Sequence, residues 1–314
     1  MSRLLVCPPD YFQIDYEINP WMRRDNGVDP SRAVRQWQTL MTVLEQEVGV
    51  GVERMQPVQG LPDLVFTANA GVVVGRRALV SRFRYPERQR EEVHFARWFR
   101  ERGYEVLTLE PSLYFEGAGD LLGFPDTWFG GYRQRSNIRA FPKLSEIFQR
   151  EIIPLELVDS RFYHLDTCFC PLSGGDLLYL PSAFDSYGRA AIAERVSDDR
   201  RLAVPEEEAL RFACNAVCVG KQVVIPAGCP PSMAGPKWKP TRMASLMPDA
   251  GGRSSTRCCM EQAASMPASA LSNTAITSSP MVLMTRPLNC SVARVMRLRQ
   301  RSTARNASLS PSFS

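Results

Sequence analysis

Histidine is the scarcest chemically useful residue in this chain: only His94 and His164 occur among 314 residues. Imidazole catalysis has two places to reside, and a histidine-rich metal site has none. No apolar run approaches the about 18 residues that a membrane helix needs, and no basic-plus-apolar leader opens the chain. The expectation is a cytoplasmic protein with no membrane partner. The 9 cysteines lack the regular spacing of a disulfide framework. Several lie in apolar text such as Phe212-Ala-Cys-Asn-Ala-Val-Cys-Val219, where a free thiol behaves as a small buried hydrophobe.

Beyond residue 230 other residues run short. Residues 231–314 contain no Tyr, one Ile and 2 acids against 11 Lys+Arg, with 15 Ser and 8 of the 12 Met. Residues 1–230 carry 31 acids against 27 bases. The overall net charge of +5 therefore hides −4 in the first part and +9 in the second. That division removes nucleic acid as a partner of the folded part, and the basic tail lacks the interleaved aromatics that would support one. Composition thus divides the chain into a domain over 1–230 and a basic, Ser/Arg/Met-rich tail over 231–314, expected to be disordered or read out of frame.

What is present in 1–230 repeats at a spacing of roughly fifty residues. Leu64-Val-Phe66 leads to Ala70-Gly-Val-Val-Val74, then Ala78-Leu-Val80, a helix over 86–102 and a strand over 104–109. Pro86 opens that helix, acids lie early, arginines late, and Gly103 stops it. The same order returns after Asp120, with a helix near 143–151, and after Asp166, with a helix near 187–196. A further copy begins at Ala213, and the N-terminus offers strand Leu4–Cys7 with a helix from about Ser31 to Gln46. Four to five small strand–strand–helix–strand units predict a ring-like α/β fold whose last unit falls in the anomalous tail.

Carboxylates gather at matching places in the repeat: Asp63, Glu116 and Asp120 in Phe115-Glu-Gly-Ala-Gly-Asp120, and Asp166. Alone, each reads as a turn or cap acid. Around a ring, equivalent loops converge on one mouth, where several carboxylates favour a cationic ligand. A planar guanidinium matches them bidentately. His164 shares a face with Asp166 if Phe162–Asp166 runs extended, so that the carboxylate could orient the imidazole. His94 sits on an amphipathic helix and reads as structural. Arg88 and Arg135 fall near strand–helix junctions, suited to holding a carboxylate, although a surface arginine is more often simply solvated.

At these residues the chain resembles the amidinotransferase and dimethylarginine dimethylaminohydrolase family, the penteins. The matching stretches are Pro62-Asp-Leu-Val-Phe-Thr-Ala-Asn69, Phe115–Asp120, Arg135-Ser-Asn137, Tyr163-His-Leu-Asp166 and Val223-Val-Ile-Pro-Ala-Gly-Cys-Pro230. The resemblance implies a five-bladed α/β propeller of ββαβ units, here with its last unit missing or disordered. It also implies a hydrolase or amidinotransferase acting on arginine or methylarginine through a cysteine-thiouronium intermediate, without metal or organic cofactor. Asp63 and Phe66 would surround the guanidinium and Glu116 would bind it. His164 would be general acid and base, Asp166 would support it, and Arg88 and Arg135 would hold the substrate carboxylate. Ala68 stands where dimethylaminohydrolases often carry an acid, which keeps amidino transfer open.

The nucleophilic cysteine of such chemistry belongs late in the chain. Cys258 and Cys259 fall at a suitable distance, and Cys259 is the candidate, but their flanks are polar and do not read as strand. A catalytically dead guanidine-binding protein lacking its thiol is therefore the alternative. A metal site at His164, Asp166, Cys168 and Cys170 is a third reading, weakened by ligand spacing unusual for zinc. The sequence leaves room for homo-oligomers and does not decide between water and an amine as acceptor.

Overall fold

The computed structural model describes residues 3–226 and the backbone of two further segments, 238–242 and 294–298. In chain order the elements begin with β1 (Arg3–Val6), α1 (Pro30–Thr42), β2 (Gly51–Arg54), β3 (Gly71–Val74), β4 (Arg77–Val80), α2 (Pro86–Gln89), α3 (Glu92–Glu101) and β5 (Glu105–Leu107). They continue with β6 (Leu121–Gly123), β7 (Trp128–Tyr132), α4 (Ala140–Phe148), β8 (Ile152–Glu156), β9 (Phe169–Pro171), β10 (Leu177–Tyr179), α5 (Ser186–Arg195) and β11 (Arg201–Ala203). The last are α6 (Glu206–Ala209), β12 (Val217–Val219), β13 (Gln222–Ile225), β14 (Trp238–Arg242) and β15 (Arg294–Leu298).

Three units have one construction. A hairpin of two antiparallel strands is followed by a helical crossover to a third strand, parallel to the second: β3-β4-β5, β6-β7-β8 and β9-β10-β11. A parallel partner cannot be reached by a tight turn, so the helix is the connection the topology requires. The N-terminus supplies a partial copy, β1 and β2 joined in parallel across α1. The hairpin β12–β13 is another. β13 then pairs with β15 in antiparallel fashion, giving the order β12-β13-β15-β14, which departs from the parallel third strand of the complete units. Leu4, Val6, Met41, Leu44 and Val50 of the first unit share one buried cluster with Val217 and Val224 of this hairpin. The two ends of the repeat are thereby packed together.

The fold is α/β, as the alternation of strand and helix text predicts. Two details differ. The helix expected over 86–102 breaks at Arg90 and Glu91, which turns both Arg88 and Glu91 inward, with exposures of 3% and 0%. Helix α1 ends at Thr42 and continues as a wide π-type turn over Val43–Val48, where Gly49 takes the left-handed conformation (φ 72°) that closes it. Apart from the two strand backbones, the residues assigned to the tail, Cys258 and Cys259 among them, lie outside the described residues. No helix among the described residues is long and apolar enough to cross a membrane.

Candidate active site

Each complete unit sends a one-turn 3-10 segment toward the same region, just ahead of its first strand: Pro62–Val65 and Thr67–Ala70, Gly117–Gly119, and Leu165–Thr167. Such short turns keep the side chains of Asp63, Asn69, Glu116, Asp120, His164 and Asp166 on fixed backbone. Two glycines make the approach possible. Gly117 adopts φ 70°, and a Cβ there would lie 2.9 Å from the Ala68 carbonyl oxygen. A Cβ on Gly119 would lie 2.5 Å from Asn69 Nδ2 and 3.5 Å from His164 Nδ1. The Gly-Ala-Gly of the sequence is thus what lets the Glu116 loop close on the histidine.

A pocket is lined by Asn19, Asp63, Phe66, Asn69, Arg88, Arg135, Tyr163 and His164. Glu116 lies fully buried beneath it, with Oε2 3.0 Å from Arg135 Nη1 and 3.4 Å from His164 Nε2. Its other oxygen accepts the Arg84 backbone N–H at 3.1 Å. Burial pushes the Glu116 carboxyl up, but Arg135, then His164 and Arg88, pull it further down, so the group is ionised.

His164 Nδ1 stands 3.1 Å from Asp120 Oδ1, which also accepts the Leu165 backbone N–H at 3.1 Å. An ionised carboxylate can only accept, so Nδ1 carries a proton, and Nε2, 3.4 Å from Glu116 Oε2, is the nitrogen on the pocket side. Ser136 Oγ donates to Asp120 Oδ2 at 2.6 Å and accepts the Glu116 backbone N–H at 3.0 Å, tying the two acid-bearing ends of the loop together. The expected support of His164 by Asp166 is corrected here. Leu165–Thr167 turns instead of running extended, the shared face is lost, and Asp120 takes the position at Nδ1. Both Asp166 carboxylate oxygens and Asp63 Oδ1 are buried with no hydrogen-bond partner within 3.5 Å, the Asn215 side chain and the Tyr16 hydroxyl acting on them only weakly.

The two arginines differ in what they have left to give. Arg88 is bidentate to Glu91 (Nε–Oε1 3.0 Å, Nη2–Oε2 2.8 Å) and donates further to Asn69 Oδ1 and the Asp63 carbonyl oxygen. Arg135 donates once to Glu116 and once to the Ile18 carbonyl oxygen, and its guanidinium lies 4.8 Å from the ring centres of both Tyr85 and Tyr163. Of the five N–H groups of a guanidinium, Arg135 keeps the more uncommitted ones. Sequence reasoning placed Asp63, Phe66, Arg88, Arg135 and His164 around one pocket, and the structure brings them together. It did not single out Glu91, which reads as an ordinary early-helix acid. It also missed Asn69, which donates to the Glu116 carbonyl oxygen at 2.8 Å and lies 3.4 Å from His164 Nε2. Asn69 already stands in the Pro62–Asn69 motif; Glu91 lies three residues after Arg88, a spacing that could have flagged the pair.

Three of the buried acids hold their protons more tightly than a free carboxyl. Burial is the largest cause for Asp63 and for Glu91, which is pushed up to about 7, with Arg88 opposing it in both. Burial, then the charge of Asp120, does the same to Asp166. An acid whose folded pKa lies above its unfolded one binds more protons folded than unfolded, so its contribution to stability is lost as pH rises between the two values. Thermal melts of the ligand-free protein are accordingly expected to show a lower Tm at about pH 8 than at about pH 5.5. A guanidinium ligand should raise Tm more at the higher pH; a ligand effect that shrinks as pH rises contradicts this electrostatic reading.

Among the described residues no group of three or more His, Cys, Asp or Glu is arranged to hold a metal ion. The alternation that a His164–Cys170 site needs is broken by the same turn that removes Asp166 from His164. Two of the described cysteines, Cys7 and Cys168, are poor nucleophiles. Cys7 is pushed up to about 12, and Cys168 well above its usual range, in both cases chiefly by burial.

No family model matches the chain. Comparison with known proteins nonetheless gives close relatives. A bifunctional arginine dihydrolase/ornithine cyclodeaminase of Nostoc sp. is 47% identical over 226 residues, covering 71% of this chain and 32% of its own. A dimethylarginine dimethylaminohydrolase of Mycobacterium tuberculosis is 37% identical, covering 71% of this chain and 72% of its own. The chain thus spans about a third of the bifunctional relatives and most of the single-function one. Among solved structures, the N-terminal domain of a cyanobacterial arginine dihydrolase, a cysteine-to-serine mutant bound to substrate, superposes with a TM-score of 0.68 at 45% identity, covering 70% of this chain and 82% of that one. A dimethylarginine dimethylaminohydrolase at 20% identity, TM-score 0.61, shares the fold.

Proposed function

Since the chain belongs to the amidinotransferase and dimethylarginine dimethylaminohydrolase family, we propose that its site hydrolyses the guanidine group of an arginine-like substrate. The observation that carries this reading is the set of five buried carboxylates (Asp63, Glu91, Glu116, Asp120 and Asp166) gathered with two arginines and one histidine, with no hydrogen bond within 3.5 Å to Asp63 Oδ1 or to either Asp166 oxygen. Buried, unfilled acceptors beside an ionised Glu116 call for a cation with several N–H donors. An arginine side chain supplies them. Arg135, with its spare donors, would receive the substrate carboxylate, and Phe66 would pack against the aliphatic stem.

In this reading a thiolate attacks the guanidinium carbon. The tetrahedral adduct collapses as the amine leaves with a proton from His164, giving a cysteine-bound thiouronium. His164, neutral again with Nδ1–H held on Asp120, then takes a proton from water as it attacks the same carbon, and the thiolate departs. Water is the acceptor we favour because the relatives named above are hydrolases; transfer to an amine would need a second bound substrate. Arginine and methylarginine are both of the proposed class.

The same reading takes the architecture as a ring of five ββαβ units around the site, residues 1–230 forming that domain without its complete last unit, and the hairpin β12–β13 meeting the first unit at the shared Leu4–Val224 cluster. The nucleophile would come from outside the described residues, and Cys259 is the candidate. The experiment is acid quenching of the full chain during turnover of arginine, followed by mass analysis of the trapped adduct. Cys259→Ser is expected to lose both adduct and turnover, and Cys258→Ser to keep them. Turnover surviving in both variants removes Cys259 from the account.

A further inference from the structure

Two thiols that the chemistry above does not use stand together where the third unit meets the hairpin that follows it. Cys170 lies at the centre of β9 and Cys218 at the centre of β12, and their Sγ atoms are 3.6 Å apart. Neither thiol is in a disulfide, and their separation lies within sulfur hydrogen-bond distance. The strands belong to different sheets, so no backbone ladder holds β9 to β12. The partners are 48 residues apart in sequence.

From this juxtaposition we propose that Cys170 and Cys218 form a redox-active dithiol, a modification site that takes up an intramolecular disulfide from a small-molecule disulfide such as oxidised glutathione. The sulfurs need to close only from 3.6 Å to the bonded separation of about 2.0 Å. The two sites are unequal in access. Cys218 is half-buried, while Cys170 is only 4% exposed. Its thiol is held well above the usual range, first by its hydrogen bond with Cys218 and then by burial. Cys218 therefore reacts first. Its thiolate attacks one sulfur of the small disulfide, releasing one small thiol and leaving a mixed disulfide. Cys170 then loses its proton and attacks the Cys218 sulfur, releasing the second small thiol. Two protein thiols are oxidised and one small disulfide is reduced to two thiols. Burial of Cys170 keeps the second step within the chain, since no thiol of another molecule reaches it. The bond would link the third complete unit to the hairpin that follows it.

The test uses the full chain, incubated with oxidised glutathione, then alkylated and digested with trypsin without reduction. Cleavage after Arg161, Arg189, Arg211 and Lys221 releases 162–189 and 212–221, each with two cysteines, Cys168 with Cys170 and Cys214 with Cys218. The double variant Cys168→Ser/Cys214→Ser removes that ambiguity, and fragmentation of the wild-type peptides localises the bond should the variant fail to fold. We expect the two peptides as one cross-linked species joined at Cys170 and Cys218. Adding Cys170→Ser should abolish it and leave glutathione on Cys218. Recovery of the two peptides as separately alkylated species, a bond mapped to Cys168 or Cys214, or a cross-link that persists with Cys170→Ser overturns the proposal. None of these readouts depends on guanidine hydrolysis.

Discussion

Glu116→Gln is expected to lower the unfolding free energy by about 3–5 kcal/mol, because it leaves a buried guanidinium without its counter-charge. Arg135 is only 3% exposed, and Glu116, the acid it meets at 3.0 Å, is fully buried. The other hydrogen bond that Arg135 donates goes to the Ile18 carbonyl oxygen, which is neutral. The same substitution removes the ionised group that would receive the substrate, so arginine should also lose its ability to raise the melting temperature. The two effects separate in a double variant. Replacing Arg135 by Met in the Glu116→Gln background takes away the stranded charge with a side chain of similar reach, and such swaps of whole buried pairs are often neutral or stabilising. Urea denaturation should therefore show most of the stability restored, while arginine binding stays absent. If the double variant is no more stable than Glu116→Gln, the ion pair is not what holds this part of the site.

Asp120→Asn should reduce turnover by about a hundred- to ten-thousand-fold with little effect on folding, the range associated with disabled acid–base catalysis. The amide is isosteric and its oxygen can keep both the Leu165 N–H and His164 Nδ1–H. Its NH2 can face Ser136 Oγ, whose second lone pair is available once the hydroxyl proton turns away. What disappears is the negative charge that stabilises the imidazolium formed when His164 takes a proton. Asp166→Asn, by contrast, should act on binding, raising KM by about ten- to a hundredfold, since in the proposed reading its buried oxygens would receive the substrate and do not bond His164. Steady-state kinetics on the two variants distinguish the roles. A fall in kcat for Asp166→Asn matched by an intact kcat for Asp120→Asn would reverse them.

Much of this was legible in the sequence because the repeat imposes it. The strand pairs Leu121–Gly123 with Trp128–Tyr132, and Val217–Val219 with Gln222–Ile225, sit where apolar text is bounded by turn residues, and the helices sit where the apolar period changes to that of a helix. The acids were recognisable by their matching positions before each strand pair. What escaped depends on local backbone geometry. A period-two reading across Tyr163–Asp166 put the carboxylate of Asp166 beside the imidazole, but the chain there makes a 3-10 turn, and the acid that arrives comes from a loop 44 residues earlier. The break at Arg90 and Glu91 was hidden because Pro86, the early acids and the late arginines all argue for one continuous helix. Burial of the Arg88–Glu91 pair, which propensity does not register, decides otherwise. The pairing of β13 with β15 was not readable either, since β15 lies in text whose composition gives no strand signal.

The central claim is that this pocket turns over a guanidine by proton transfer at His164. The direct measurement is ammonia and amino-acid product released from arginine by the full chain, set against the same chain carrying His164→Ala and matched for folding by its thermal melt. The account predicts release that depends on protein concentration and falls to background in the variant. Equal release from the two proteins, or none above the buffer blank from either, contradicts it.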